Sequence, residues 1–218
     1  MGNPLPAASV PTLGELGIPD EVKEMVDRKT GRVIFFSGDT ATGKTTSITA
    51  AANYINLNNQ KRIITLEDPI ESVYQNNESL FVQKELNRDY SDLSIQLEKT
   101  LLRDSPDVII LSEIQHPKVL WLALKAAQWD TLVLASVRQR SAMECLERII
   151  QTQFHRDGME SISSMMESVP TLIVQHTAHP NKDNTGRTIS YETLTPTKDM
   201  IHNFTQSNDL HLPNEKLM

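Results

Sequence analysis

Residues Gly38–Thr46 read GDTATGKTT and follow, one residue on, the apolar run RVIFF at Arg32–Phe36. Gly38 through Thr45 satisfy the spacing GxxxxGK[ST], between an expected strand and an expected helix. Glycines let such a loop curl so that successive amide hydrogens converge on phosphate oxygens, and the helix amino terminus adds further donors. Gly38, Asp39, Thr40, Ala41, Thr42, Gly43, Lys44, Thr45 and Thr46 are therefore the candidate phosphate-binding segment. Within it, Lys44 suits the terminal phosphates and the Thr45 hydroxyl suits a magnesium ion. Whether a bound nucleotide is also hydrolysed depends on what the rest of the chain supplies.

Outward from this loop, the runs VIFF, RIITL, DVIIL and TLVLASV are short and nearly unbroken, as expected of parallel strands covered on both faces. Segments of helical period lie between or after them, at Thr45–Asn56, Leu93–Leu102, Val119–Ala127 and Ala142–Gln153. The alternation predicts an α/β fold with a parallel sheet and crossover helices. Beyond a helix around Met159–Glu167, LIVQHTAHP and RTISYETLT flank the turn-rich NKDNTG and suggest a hairpin, followed by a last helix near Lys198–Thr205. Residues 1–30 read as a linker-like segment with a short helix near Glu21–Val26, residues 31–213 as the domain, and 214–218 as a polar tail.

Composition narrows the function. With 218 residues there is room for one α/β domain, not two enzymes. A formal net charge of -7 argues against broad sequence-independent binding, so no nucleic acid is expected. The one cysteine, Cys145, sits on the apolar face of a helical segment and reads as packing, which suits a reducing compartment. No apolar run approaches a membrane span, so any membrane association is expected to be peripheral, through a partner. Trp121 and Trp129 read as packing or subunit contact, His176 and His179 only superficially as a metal pair, and Tyr74 and Phe81 as part of a mobile loop.

Three carboxylates end expected strands. Glu67 and Asp68 close RIITLED and Glu113 closes DVIILSE, at the edge where open α/β sheets place ligands. One such group can orient a water against a terminal phosphate while another holds magnesium. Acidic residues also finish buried strands simply because the chain is emerging into solvent.

Taken in order, GDTATGKTT, IITLEDPIESVY, LLRDSPDVIILSEI, LALKAAQ and SAMECLERII resemble the pilus-retraction and type II/type IV secretion ATPases, from about Leu13 to Pro213. The resemblance implies a RecA-like core that binds ATP and Mg2+. It implies a ring, or a mixed assembly with a related ATPase, working against an inner-membrane platform protein of a pilus or secretion machine from the cytoplasmic side. It assigns Glu113 as the water-activating residue, Glu67 and Glu113 together with Thr45 as the metal-site groups, and Glu67 and Lys44 to catalysis. It adds Arg103, Arg138 and Arg148 as basic positions at the nucleotide.

The departures are specific. Thr131 and Arg138 stand where that family has histidines, which it implies lie near the phosphates, and Gln115 and His116 replace an arginine and an aspartate. Lys84 and Glu98 stand where it has arginines, and TQSN at Thr205–Asn208 replaces its REGK. A carboxylate at an arginine position reverses the local field. The chain also starts at the family's joining segment, which counts against a closed hexamer built from this chain alone. Two readings stay open: a magnesium-dependent motor ATPase, and a weak or inactive nucleotide-binding paralogue that supports or regulates an active ring. An unrelated small kinase would need a basic lid, and none stands out.

Overall fold

The computed structural model describes residues 10–86, 90–152, 160–181 and 186–209. The chain forms α1 (Asp20–Asp27), β1 (Arg32–Gly38), α2 (Lys44–Asn58), β2 (Arg62–Glu67), β3 (Leu80–Glu85), α3 (Tyr90–Arg103) and β4 (Val108–Glu113). It continues through α4 (Pro117–Gln128), β5 (Leu132–Val137), α5 (Ala142–Gln151), α6 (Ile162–Ser168), β6 (Thr171–Pro180), β7 (Arg187–Leu194) and α7 (Lys198–Asp209). One seven-stranded sheet runs β3-β2-β4-β5-β1-β6-β7, parallel except for the last pair.

Strand β1 is buried along its whole length, between β5 and β6. Its alternating side chains separate the two cores. Val33 and Phe35 join α3 to α7 on one face, while Ile34 and Phe36 meet α1 and α2 on the other. Each side chain of this size contributes roughly 1.5–3 kcal/mol when fully buried, which fixes β1 at the centre. Helix α2 is enclosed nearly all round, with Ser47, Thr49, Ala50, Ala51, Ala52 and Ile55 buried. At its far end Asn56 Nδ2 donates to the Gln75 carbonyl at 2.8 Å, and its Oδ1 accepts from the Asn77 amide at 3.1 Å.

Several expectations need revision. Strand β3 was not expected, because half of LFVQKE is polar; as the edge strand it has one neighbour and needs no unbroken apolar run. Phe81 is buried in it and Tyr74 stacks on that ring at 4.4 Å, so these two are packed in place. The hairpin is present, but β6 also pairs in parallel with β1 and so belongs to the main sheet. The helix anticipated from Met159 is α6, from Ile162; Met159, Gln153, part of the NKDNTG turn and the polar tail lie outside the described residues.

The segment expected to be linker-like packs on the domain from Ile18 onward, through Val22, Met25 and Val26. Arg32, itself buried, secures it. Its guanidinium donates to the carbonyls of Met25, Val26 and Thr30, two of which end α1 and have no partner within the helix. Positive charge at that end also complements the helix dipole. Lysine cannot reproduce the fork of donors. Arg32→Lys is expected to lower unfolding free energy by about 1–3 kcal/mol, read as a lower urea midpoint with unchanged slope; an unchanged midpoint would show the contacts carry no net stability.

Candidate functional site

The phosphate loop takes three positive-φ conformations, one of them at Ala41 (φ +61°) and two at glycines. Gly43, the N-cap of α2, has φ +86°, and Gly38 has φ +149°. A Cβ on Gly38 would stand 2.6 Å from Thr42 Oγ1 and 2.7 Å from the His176 carbonyl. The loop is cross-braced: Thr42 Oγ1 donates to the Asp39 carbonyl at 2.9 Å, and Lys44 Nζ donates to the carbonyls of Gly38 and Asp39 at 2.7 and 2.6 Å. Burial lowers the Lys44 pKa, Glu113 opposes that shift, and Arg138 adds to it.

Behind the loop lies His176, which sequence reasoning set aside. Its Nδ1 sits 3.2 and 3.1 Å from the carbonyls of Ser37 and Val174, both acceptors, so Nδ1 carries the proton. Nε2 is then the acceptor for the Ser47 hydroxyl, at 2.8 Å, in the first turn of α2. His176 therefore ties β1, β6 and α2 together directly beneath the loop. His179, three residues on, is on the opposite face of β6 and contacts Ser190, so the two histidines do not converge.

A cleft of about 620 Å³ opens over the carboxyl edge of the sheet. Thr40 through Thr46 line it; Gly38 and Asp39 contribute through the carbonyls that hold Lys44. Glu67 and Asp68 from the end of β2, and Ser112 and Glu113 from β4, line it opposite. The β4–β5 register slips between Leu111 and Glu113, and this extra residue lets adjacent Ser112 and Glu113 both reach the cleft. Glu67 is buried, with its Oε1 accepting from Gln83 Nε2 at 3.4 Å, and burial raises its pKa above the ordinary carboxylate range. Tyr74 completes one wall, its hydroxyl donating to Thr49 Oγ1 at 3.2 Å; burial raises its pKa. The donors are a hydroxyl and carboxylates, the hard oxygen set that magnesium takes.

The basic positions separate. Arg138, at the end of β5, lines the cleft and donates from Nη2 to Glu113 Oε2 at 2.8 Å. Arg148 on α5 instead lines a neighbouring cavity of about 250 Å³. Arg103 does not reach the cleft of its own chain: it ends α3, beside Asp104, which meets Arg62 at the start of β2 on the opposite edge of the sheet. Thr131 is likewise remote from the phosphate loop, correcting the expectation for that position. It precedes β5 at the amino edge, buried, with its hydroxyl donating to the Pro106 carbonyl at 3.1 Å. Lys84 Nζ is held by Asp104 and Thr100 at 2.7 and 3.0 Å, and Glu98 pairs with Lys118 at 2.9 Å. Neither Trp121 nor Trp129 lines the cleft.

His176 gives the support beneath the loop a testable pH signature. Burial depresses its pKa to about 4, so the unfolded chain takes up a proton that the folded one refuses. The stability tied to neutral His176 is complete above pH about 6.5 and is lost as pH falls towards about 4. Denaturation at stepped pH should show the native protein losing on the order of 3 kcal/mol across that window relative to His176→Gln. A constant difference would mean the imidazole titrates alike in both states.

A family model described as type II/IV secretion system protein matches residues 8–211. The twitching motility protein of Neisseria gonorrhoeae is 33% identical over 187 residues, 86% of this chain and 49% of that protein. The type IV pilus ATPase PilU of Pseudomonas aeruginosa is 34% identical over 186 residues, 85% of this chain and 48% of that one. The chain thus spans about half the length of these curated relatives. The crystal structure of the pilus retraction motor PilT with bound ADP matches at TM-score 0.79 and 30% identity, covering 92% of this chain and 57% of that chain. The Legionella pneumophila ATPase DotB, at 19% identity and TM-score 0.76 over 92% of this chain and 58% of its own, shares the fold.

Proposed function

Since the chain belongs to the type II/IV secretion system protein family, we propose that it binds ATP with Mg2+ and hydrolyses it as a motor subunit of a type IV pilus or related secretion machine. The observation that carries this reading is the single cleft lined by Lys44, Thr45, Glu67 and Glu113, drawn from three separate elements. Loop amides and the amino terminus of α2 receive the phosphates. Lys44 exchanges its loop carbonyls for phosphate oxygens and offsets their charge. The Thr45 hydroxyl and Glu67 would hold magnesium, which when bound would supply charge neutralisation at the terminal phosphates. Glu113 orients the attacking water and accepts its proton.

Residues 31–213 serve as the motor domain in this reading, with the α1 segment attached to it. The proposed partners are a ring, homomeric or mixed with a related ATPase, and an inner-membrane platform protein; the relatives named as type IV pilus ATPases support the placement in a pilus machine. No described helix is long and apolar enough to cross a membrane; the proposed location is the cytoplasmic face of the inner membrane, reached through partners. Arg103 and Arg148 lie outside the cleft of their own chain and take no part in this reading of it.

Two observations favour the second reading, a nucleotide-binding paralogue supporting an active ring. The Glu113 carboxylate is already engaged by Arg138, and Glu98 places a carboxylate where the resemblance implies a phosphate-facing arginine. Magnesium-dependent ATP hydrolysis, measured beside direct ATP binding, separates the two. Lys44→Ala is expected to abolish binding, and Glu113→Gln to preserve it while turnover falls by about 10²–10⁴. Binding without turnover in the unaltered protein, even at high protein concentration, would replace the motor reading with the second.

A further inference from the structure

Glu113 and Arg138 line both the cleft and the neighbouring 250 Å³ cavity, so their ion pair stands in the wall between the two. The partners are unequal. Arg138 is 53% exposed in its side chain and Glu113 is 24% exposed, so the guanidinium is the freer of the two. Its Nη2 donates to Glu113 Oε2 at 2.8 Å, which occupies a lone pair on the oxygen that would take a proton from water.

We infer that Arg138 is a latch on Glu113 that a nucleoside triphosphate releases and a nucleoside diphosphate does not. This rests on the nucleotide-binding reading above. A terminal phosphate over Lys44 would present several anionic oxygens in the cleft that Arg138 also lines, and Arg138 lies near enough to Lys44 for its charge to lower the lysine's pKa. The planar fork of an arginine matches such a group in two-point contact, whereas its present contact with Glu113 is through one nitrogen. As the guanidinium turns to the phosphate, Glu113 is left free to orient water. A diphosphate lacks the group that draws Arg138 away, so the latch stays closed. Arg138 is thus a positioning residue for Glu113, and it links the state of the nucleotide to the readiness of the carboxylate.

The test is a double-substitution cycle read on affinity, independent of turnover. Magnesium-bound AMP-PNP and ADP are titrated calorimetrically into the full chain and into E113Q, R138Q and the double variant, with thermal unfolding confirming that all four are folded. Breaking the ion pair is part of binding AMP-PNP only while both partners are present. Glu113→Gln should therefore tighten AMP-PNP by roughly two- to fivefold more in the Arg138 background than in the R138Q background, the range of a half-exposed ion pair. ADP should show no such coupling. Additive effects on AMP-PNP, or equal coupling with ADP, overturn the latch and leave nucleotide binding standing. Failure of the unaltered chain to bind either nucleotide overturns the binding reading, and the latch with it.

Discussion

The backbone of Gly38 passes His176 and Thr42 so closely that no side chain fits between them, and the phosphate loop is placed by that contact. Strand β1 delivers the loop, β6 supplies the surface it turns against, and the imidazole of His176 bonds the first turn of α2 to both. Because β2, β4, β5 and β1 run parallel in adjoining registers, their carboxyl ends reach the same edge. The carboxylates that end two of them are thereby carried to the loop without any dedicated scaffold.

What could be read in the sequence was what local pattern encodes. The runs around Phe35, Ile64, Ile110 and Leu134 are buried on both faces, and their composition announced them as central strands. The phosphate loop was legible because its spacing is itself the mechanism. Strand β3 was not legible, since an edge strand tolerates Gln83, Lys84 and Glu85. Nor was the slip that turns Ser112 and Glu113 together into the cleft, a property of the pairing between β4 and β5. His176 looked like one of six scattered histidines because its partners, Ser37 and Ser47, are more than a hundred residues away. Thr131 shows the opposite error: a position inferred by resemblance to be near the phosphates lies at the far edge of the sheet.

The altered basic positions acquire a local explanation. Lys84 is committed to Thr100 on α3 and Asp104 just after it, and Glu98 to Lys118 on α4, so each satisfies its charge within this chain. These partly exposed pairs contribute at most about 1 kcal/mol each. Their larger effect is on the field around α3 and α4, where charges of opposite sign cancel at short range. Arg138 differs because its partner is in the cleft.

Helix α2 has a mechanical consequence. At fifteen residues it is about 22 Å long, enclosed on almost every side, braced at one end by Ser47 and His176 and at the other by Asn56 against residues 75–77. Its own small residues, Ala50, Ala51 and Ala52, let the larger side chains of β1 and α1 close against it. The helix thereby joins the phosphate end directly to the backbone around Gln75. That stretch leads into β3 at the outer margin of the sheet, so the centre of the molecule is tied to its rim.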